Sequence, residues 1–275
     1  MSHEDGDFNM ALYSFSIKPI SRLKGESIVK VASYQSRGKL HDEREDVIFD
    51  FSHKTDLAYT EIFLPPNAPT EFSNRQILWN AVDKAEKRYD ARTGRAIIAA
   101  LQNELPLEAQ IKTIREFVLE AFVKHGMCAD VAIHRGHHED QSRMEGEHAK
   151  ISPNNPHVHI LLTDRPIEQE RFCATKNRDW NKRYFIRHWR ELWEKVQNKE
   201  LERNGLDARV SHESLEVQGI DREPTKHLGR KTTEMKRRGR ETNRDNENRV
   251  IEARNKERVN RKLEREQDRD FELSR

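Results

Sequence analysis

The sequence predicts an α+β fold: a central, mainly antiparallel sheet flanked by helices on one face, followed by a charged tail that is helical or disordered. Three observations carry this. Short stretches of alternating or continuous apolar residues interleave with longer stretches whose apolar residues recur at helical spacing. One stretch, Asn155-Pro156-His157-Val158-His159-Ile160-Leu161-Leu162, reads as a strand near the middle of the sheet, entered from a loop rich in Pro and Asn. From Arg230 onward hydrophobic residues nearly vanish. The expected organisation is a polar leader over 1–9, a folded domain over 10–229 and a tail over 230–275.

In chain order, the roughly alternating segment from Met10 to Ile17 predicts a first strand, and Lys18 to Gly25 a basic loop. A short helix is expected over Glu26 to Arg37, with Ile28, Val29, Ala32 and Ser33 facing inward. Asp50 to Lys54 is turn-like. Leu57 to Leu64 is a candidate strand, stopped by Pro65-Pro66. Ile77, Leu78, Val82 and Ala85 mark a helix ending near Tyr89, and Arg95 to Leu101 a buried strand. Pro106 opens a helix striped by Ile111, Ile114, Val118 and Phe122 and stopped by Gly126. Met127 to His134 is a strand, and 135–155 a polar loop. Trp180 to Asn204 is an amphipathic helix with Gly205 just past its end.

Composition narrows the class. Charged residues make up 36% of the chain, well above the usual quarter, yet the net charge is only +2. The tail from Arg230 carries 16 Lys/Arg against 11 Asp/Glu, so the remainder is net acidic. Nucleic-acid binding therefore has to come from a surface made by folding, not from overall charge. Cys128 and Cys173 make no disulfide framework, which points to a reduced, cytoplasmic setting. No apolar run approaches the roughly 18 residues of a membrane span.

Strand side chains alternate, so His157 and His159 share a face, about 6–7 Å apart along the strand. His134, at the end of what is expected to be a neighbouring strand, can join them. Three imidazoles with open coordination positions make a Lewis-acid site, able to polarise a phosphoryl oxygen or activate water. Softness favours Mn²⁺, Zn²⁺, Ni²⁺ or Co²⁺ over Mg²⁺. His137, His138 and His148 are competitors on a less constrained loop. No Ser or Cys lies in a nucleophile motif. Tyr34 is the best candidate nucleophile, a phenol with Lys30, Arg37 and Lys39 close by. Arg37, Lys39 and Arg135 are candidate phosphate contacts.

These pieces resemble the MobA/MobL relaxases of the HUH endonuclease class. The resemblance runs from about Ala11 to Gly229 and rests on an ordered set of motifs. They are Ser33-Tyr34-Gln35-Ser36-Arg37, Asp50-Phe51-Ser52-His53-Lys54, Leu64-Pro65-Pro66-Asn67-Ala68-Pro69, Leu78-Trp79-Asn80, Ala100-Leu101 with Asn103-Glu104-Leu105, Ala132-Ile133-His134, Asn155-Pro156-His157-Val158-His159, Leu215 to Ile220 and His227-Leu228-Gly229. The resemblance implies an HUH fold, with Tyr34 as nucleophile and His134, His157 and His159 around a divalent metal, Mg²⁺ or Mn²⁺ first among them. It implies single-stranded DNA at a plasmid origin of transfer beside a hairpin, a 5′-phosphotyrosine link, and further relaxosome or coupling proteins as partners. The sequence departs from the family in one place. Where the family often has Arg-Glu-X-Glu before Ala-Leu-Pro, this chain has Ala96, Ile98 and Gln102. An acid that would orient a histidine or the tyrosine is absent there.

Two other readings use the same residues. A phosphodiesterase with metal-activated water needs the histidines but not Tyr34. A non-catalytic DNA-binding accessory protein needs neither.

Overall fold

The computed structural model describes residues 11–135, 155–226 and 228–273. The leader, most of the polar loop with His137, His138 and His148, and His227 lie outside the described residues.

Five strands form the central sheet: β1 (Phe15–Ser21), β4 (Leu57–Phe63), β5 (Arg92–Ala100), β6 (Ala129–His134) and β7 (His157–Thr163). Their order is β1-β5-β7-β6-β4, and every pairing is antiparallel. The histidine strand is therefore central, as its run Ile160-Leu161-Leu162 predicts: a strand covered on both faces reads as continuously apolar.

Helices cover both faces rather than one. Val158, Ile160 and Leu162 of β7 and Ile97 and Ala99 of β5 pack with α3 (Leu107–Ala121) and α4 (Arg183–Arg203), around Phe117, Phe122, Trp180, Trp189 and Trp193. The tryptophans are core, as their helical spacing suggests. On the other face, Leu161 and Cys128 pack with α1 (Ile28–Ser36) and α2 (Arg75–Ala85) through Ile28, Val29, Leu78 and Trp79. The apolar residues of both strand faces make this second layer necessary, since either face left bare would expose a large apolar area.

Gly94 permits the close approach of α1. A Cβ there would meet the Leu162 carbonyl oxygen at 2.5 Å and Ile28 Cδ1 at 2.7 Å. The helix itself begins at Ser27, whose hydroxyl accepts from the Lys30 amide at 3.1 Å and donates to Asp42 at 2.6 Å.

Two local expectations change. The first strand starts later and continues through Ser21, across Lys18 and Pro19, where a basic loop was expected. It is an edge strand, where a proline without an N–H is tolerated and one side of the strand meets solvent. A small hairpin, β2 (Lys39–Asp42) with β3 (Val47–Asp50), leads into the Asp50–Lys54 turn and is not among the expected elements. A second small hairpin, β8 (Ile167–Glu168) with β9 (Arg171–Phe172), follows β7.

The chain divides into two compact units after His212, earlier than the boundary expected at 229 from composition. The second unit holds α5 (Gly229–Arg237) and the long charged α6 (Asn243–Leu273). Two asparagines of α6 explain why residues before 229 belong with it. Asn255 exchanges hydrogen bonds with the backbone of Glu223 at 2.8 and 2.9 Å, and Asn248 with that of Lys226 at 2.8 Å. Among the described residues no helix is long and apolar enough to cross a membrane.

Candidate functional site

Strand register assembles three histidines. His134, the last residue of β6, lies opposite His157, the first of β7, and Ala132 opposite His159. All three imidazoles project to the α1 side. Their ring centroids are 4.4 Å (134–159), 5.1 Å (157–159) and 5.4 Å (134–157) apart. One nitrogen from each falls within 4.8 Å of the others.

Hydrogen bonds fix two of the tautomers. A guanidinium only donates, so His134 Nδ1 accepts from Arg37 Nη2 at 3.1 Å, and its Nε2–H donates to the Gln35 carbonyl at 2.7 Å. His157 donates from Nδ1 to the Asn155 carbonyl at 2.9 Å, which leaves its Nε2 lone pair for another partner. Burial, with Arg37's charge added, pushes His134 down to about 4. Burial and the two neighbouring imidazoles push His159 down to about 2. Both are neutral at physiological pH, the state a metal ligand needs.

This donor set fits a divalent cation. The nitrogens are mutually close, two rings are neutral by environment, and two are oriented by a backbone carbonyl, the usual outer support of a ligating histidine. Binding through His134 exchanges one of its two present hydrogen bonds for the metal.

Tyr34 stands over this cluster from α1. Its ring lies 6.3 Å from that of His159, edge-on to Phe51 at 5.3 Å, and is 39% exposed. The inward face of α1 is the one the spacing predicts, with Ile28, Val29, Ala32 and Ser33 buried. Tyr34 is on the other side, facing the histidines. Two cations approach its ring: Arg37 Cζ at 4.5 Å and Lys54 Nζ at 5.8 Å from the centroid.

The three candidate phosphate contacts fall out differently. Lys39 and Arg135 are exposed. Arg37 is not: it is buried, and its guanidinium is committed within the protein. Nε and Nη2 grip the Asp56 carboxylate at 2.8 Å each, Nη1 donates to the Tyr34 carbonyl at 2.9 Å, and Nη2 also reaches His134. Arg37 therefore orders the site from inside instead of presenting a free charge. Its backbone is left-handed, φ 52°, and ends α1, which turns the side chain back beneath the helix. Burial works against ionisation of Asp56, but the Arg37 guanidinium overrides it and holds the carboxyl at about 2.

Asp56 is the residue that sequence reasoning missed. It precedes β4, whose Leu57 pairs with His134, and its carbonyl accepts from the Arg135 amide at 2.9 Å. Only the β4–β6 register brings it there, and no motif marks it. It supplies a carboxylate on the far side of the site from the vacant family position. Ala96 and Ile98 pair with Leu161 and His159, so acids at these positions would lie on the histidine face.

A profile of the MobA/MobL family matches residues 26–238, most of the chain. The chain belongs to the MobA/MobL family. This MobA/MobL chain is 31% identical over 250 residues to a conjugal transfer protein TraA of Agrobacterium fabrum, an alignment covering 80% of this chain and 21% of that protein. It is 28% identical to the mobilization protein MobL of Acidithiobacillus ferridurans, covering 83% of this chain and 65% of that one. A solved structure described as "Molecular Basis of Vancomycin Resistance Transfer in Staphylococcus aureus" is 35% identical, with a TM-score of 0.64, and covers 74% of this chain and 100% of that one. The chain thus spans about a fifth of the TraA relatives' length.

Proposed function

We propose that the chain is a DNA relaxase that nicks one strand at a plasmid origin of transfer, becomes joined to it through Tyr34, and later reseals it. The observation that carries this reading is the approach of the Tyr34 ring to the face on which His134, His157 and His159 converge. The family and its conjugal-transfer and mobilization relatives supply the substrate class.

In this reading the Tyr34 phenol oxygen attacks the scissile phosphorus, losing its proton. The bond from phosphorus to the 3′ oxygen breaks, and that oxygen leaves as a 3′ hydroxyl after taking up a proton. The product is a 5′-phosphotyrosine. The reaction exchanges one phosphodiester for another, so attack by a 3′ hydroxyl reverses it. A divalent cation held by His134, His157 and His159 would offset charge on the phosphoryl oxygens. Arg37 lies over the Tyr34 ring and Asp56 fixes it there, so the pair holds the nucleophile in position. Phe51 limits the positions the Tyr34 ring takes. Lys39 and Arg135, both exposed near the site, are the phosphate contacts of this reading, and the cytoplasm is its setting.

The test uses labelled single strands from the origin of transfer, with Mn²⁺ or Mg²⁺, beside Tyr34→Phe on a denaturing gel. The expected result is a protein–DNA adduct that needs metal and is absent in Tyr34→Phe. Cleavage that survives in Tyr34→Phe without an adduct overturns the tyrosine mechanism in favour of activated water. Binding without cleavage favours the accessory role.

A further inference from the structure

The end of the sheet away from the histidines carries a second feature. His157 pairs with Ala100, the last residue of β5. Arg92, the first residue of the same strand, is about 26 Å away along it. Around Arg92 opens a cleft of about 740 Å³, walled by the start of β5, the segment after β7 and the turn before α4.

Its charge is one-sided. Arg88, Arg92, Arg95, Arg165, Lys176 and Arg178 line it against Glu86, Asp90 and Asp164, an excess of three positive charges where the whole chain has a net of +2. The inner cations build the wall. Arg95 holds Asp164 at 2.7 Å and donates to the Trp180 carbonyl at 2.6 Å, and both side chains of the ion pair are buried. Arg165 and Lys176 share the single carboxylate of Glu86, at 2.7 and 2.9 Å, so one of those charges is uncompensated. The outer cations are available. Arg92 and Arg178 are exposed and form no ion pair among the described residues. Among the described residues Arg88 pairs only with Asp90, in a solvent-exposed contact that is worth little.

Two exposed tyrosines adjoin the lining residues in sequence. Tyr89, between Arg88 and Asp90, is 82% exposed, and Tyr184, in the first turn of α4 just past Asn181 of the cleft, is 70% exposed. Tyr184 stacks parallel to His188, with centroids 6.2 Å apart and planes within 6°. Neither tyrosine packs in the core. Free cations interleaved with exposed ring faces are the combination that takes a flexible phosphate chain and its bases, without dependence on sequence. A cleft open to solvent and lined by charged side chains suits a chain crossing it better than an enclosed small molecule.

We propose that this cleft is a second contact for single-stranded DNA, with phosphates on Arg92 and Arg178 and a base on Tyr89. It lies remote from Tyr34. The proposal rests on the reading of the chain as a DNA relaxase, and it gives the strand a hold that persists whether or not the nick site is engaged.

The experiment measures binding of the full chain to fluorescein-labelled oligo-dT of about 40 nucleotides by anisotropy, over a range of salt concentrations. The variants are Arg92→Ser with Arg178→Ser, Tyr89→Ala, and Lys195→Ser as a control on α4 outside the cleft. The double variant is expected to weaken binding about tenfold and to flatten the slope of log K against log salt by about 1.4, for two single-strand phosphates lost. Tyr89→Ala should weaken binding about tenfold with the slope unchanged. The control should change neither. Wild-type affinity and slope in the double variant, an equal loss in the control, or no binding of oligo-dT by the wild type overturns the proposal. Adduct formation at Tyr34 on the origin strand is scored in parallel. Failure of the cleft therefore leaves the nicking reading intact, and the two failures are told apart by which readout is lost.

Discussion

Arg37 Nη2 lies 3.1 Å from His134 Nδ1 while the same guanidinium is clasped by Asp56. One buried cation thereby links the end of α1, which carries Tyr34, to the end of β6, which carries a histidine of the cluster. Asp56→Asn keeps the shape but removes the charge that fixes Arg37. The expected outcome is a 10- to 100-fold loss of Mn²⁺ affinity, the range typical of outer-support mutations, read by titration calorimetry. Unchanged affinity would mean that Arg37 is held well enough without the carboxylate.

Acid should weaken the fold through the same pair. The folded-state value of Asp56 is held at about 2, below the ordinary 3.8. A depressed carboxylate contributes stability above its unfolded value and loses it as pH falls through the folded one. About 2 kcal/mol should therefore be present above pH ~4 and vanish by pH ~2. His134, at about 4, and His159, at about 2, act in the same direction, because the unfolded chain takes up their protons first, near pH 6.5. Urea denaturation between pH 7 and pH 3 should show stability falling throughout, and Asp56→Asn should flatten the segment below pH ~4.

Ile98→Glu restores an acid where the family often has one. Ile98 pairs with His159 and is 42% exposed on the histidine face, so a carboxylate there meets water as well as imidazole. Mn²⁺ affinity should rise about tenfold, since an anionic group joins or supports three neutral ligands. A fall in affinity would show that the added carboxylate captures Arg37 or a histidine instead.

Gly94→Ala should destabilise the first unit without touching the chemistry. Its Cβ would lie 2.5 Å from the Leu162 carbonyl oxygen, a backbone atom of the central strand that has no room to retreat. A loss of about 1–3 kcal/mol is expected from such overpacking, visible as a lower midpoint in urea. Metal affinity of the folded fraction should be unchanged.

The histidine half of the site was legible because strand alternation is a two-residue rule: His157 and His159 had to share a face, and a continuously apolar run had to be central. Tyr34, singled out by its motif and basic neighbours, lies 6.3 Å from the His159 ring. Arg37 was misjudged as a phosphate contact, because a sequence does not announce that a non-glycine residue turns left-handed at a helix end. Asp56 was invisible for a different reason. Its partners, Arg37 and His134, are brought to it by tertiary pairing, and nothing local in 50–57 distinguishes this aspartate from a solvated one. The β2–β3 hairpin was missed because only Leu40 and Asp42 of its strands are buried, too short an alternation to read as a strand pair.

Strand order also sets when the protein becomes whole. Of the five strands, β7 is the last to be synthesised, yet it occupies the middle position. Until it emerges, β1 can pair with β5, and β4 with β6, but these halves have no strand to join them. The residues that close the gap are the ones bearing His157 and His159. A nascent chain that already displays Tyr34 therefore lacks the histidine cluster beside it, and completion of the sheet and completion of the cluster are a single event.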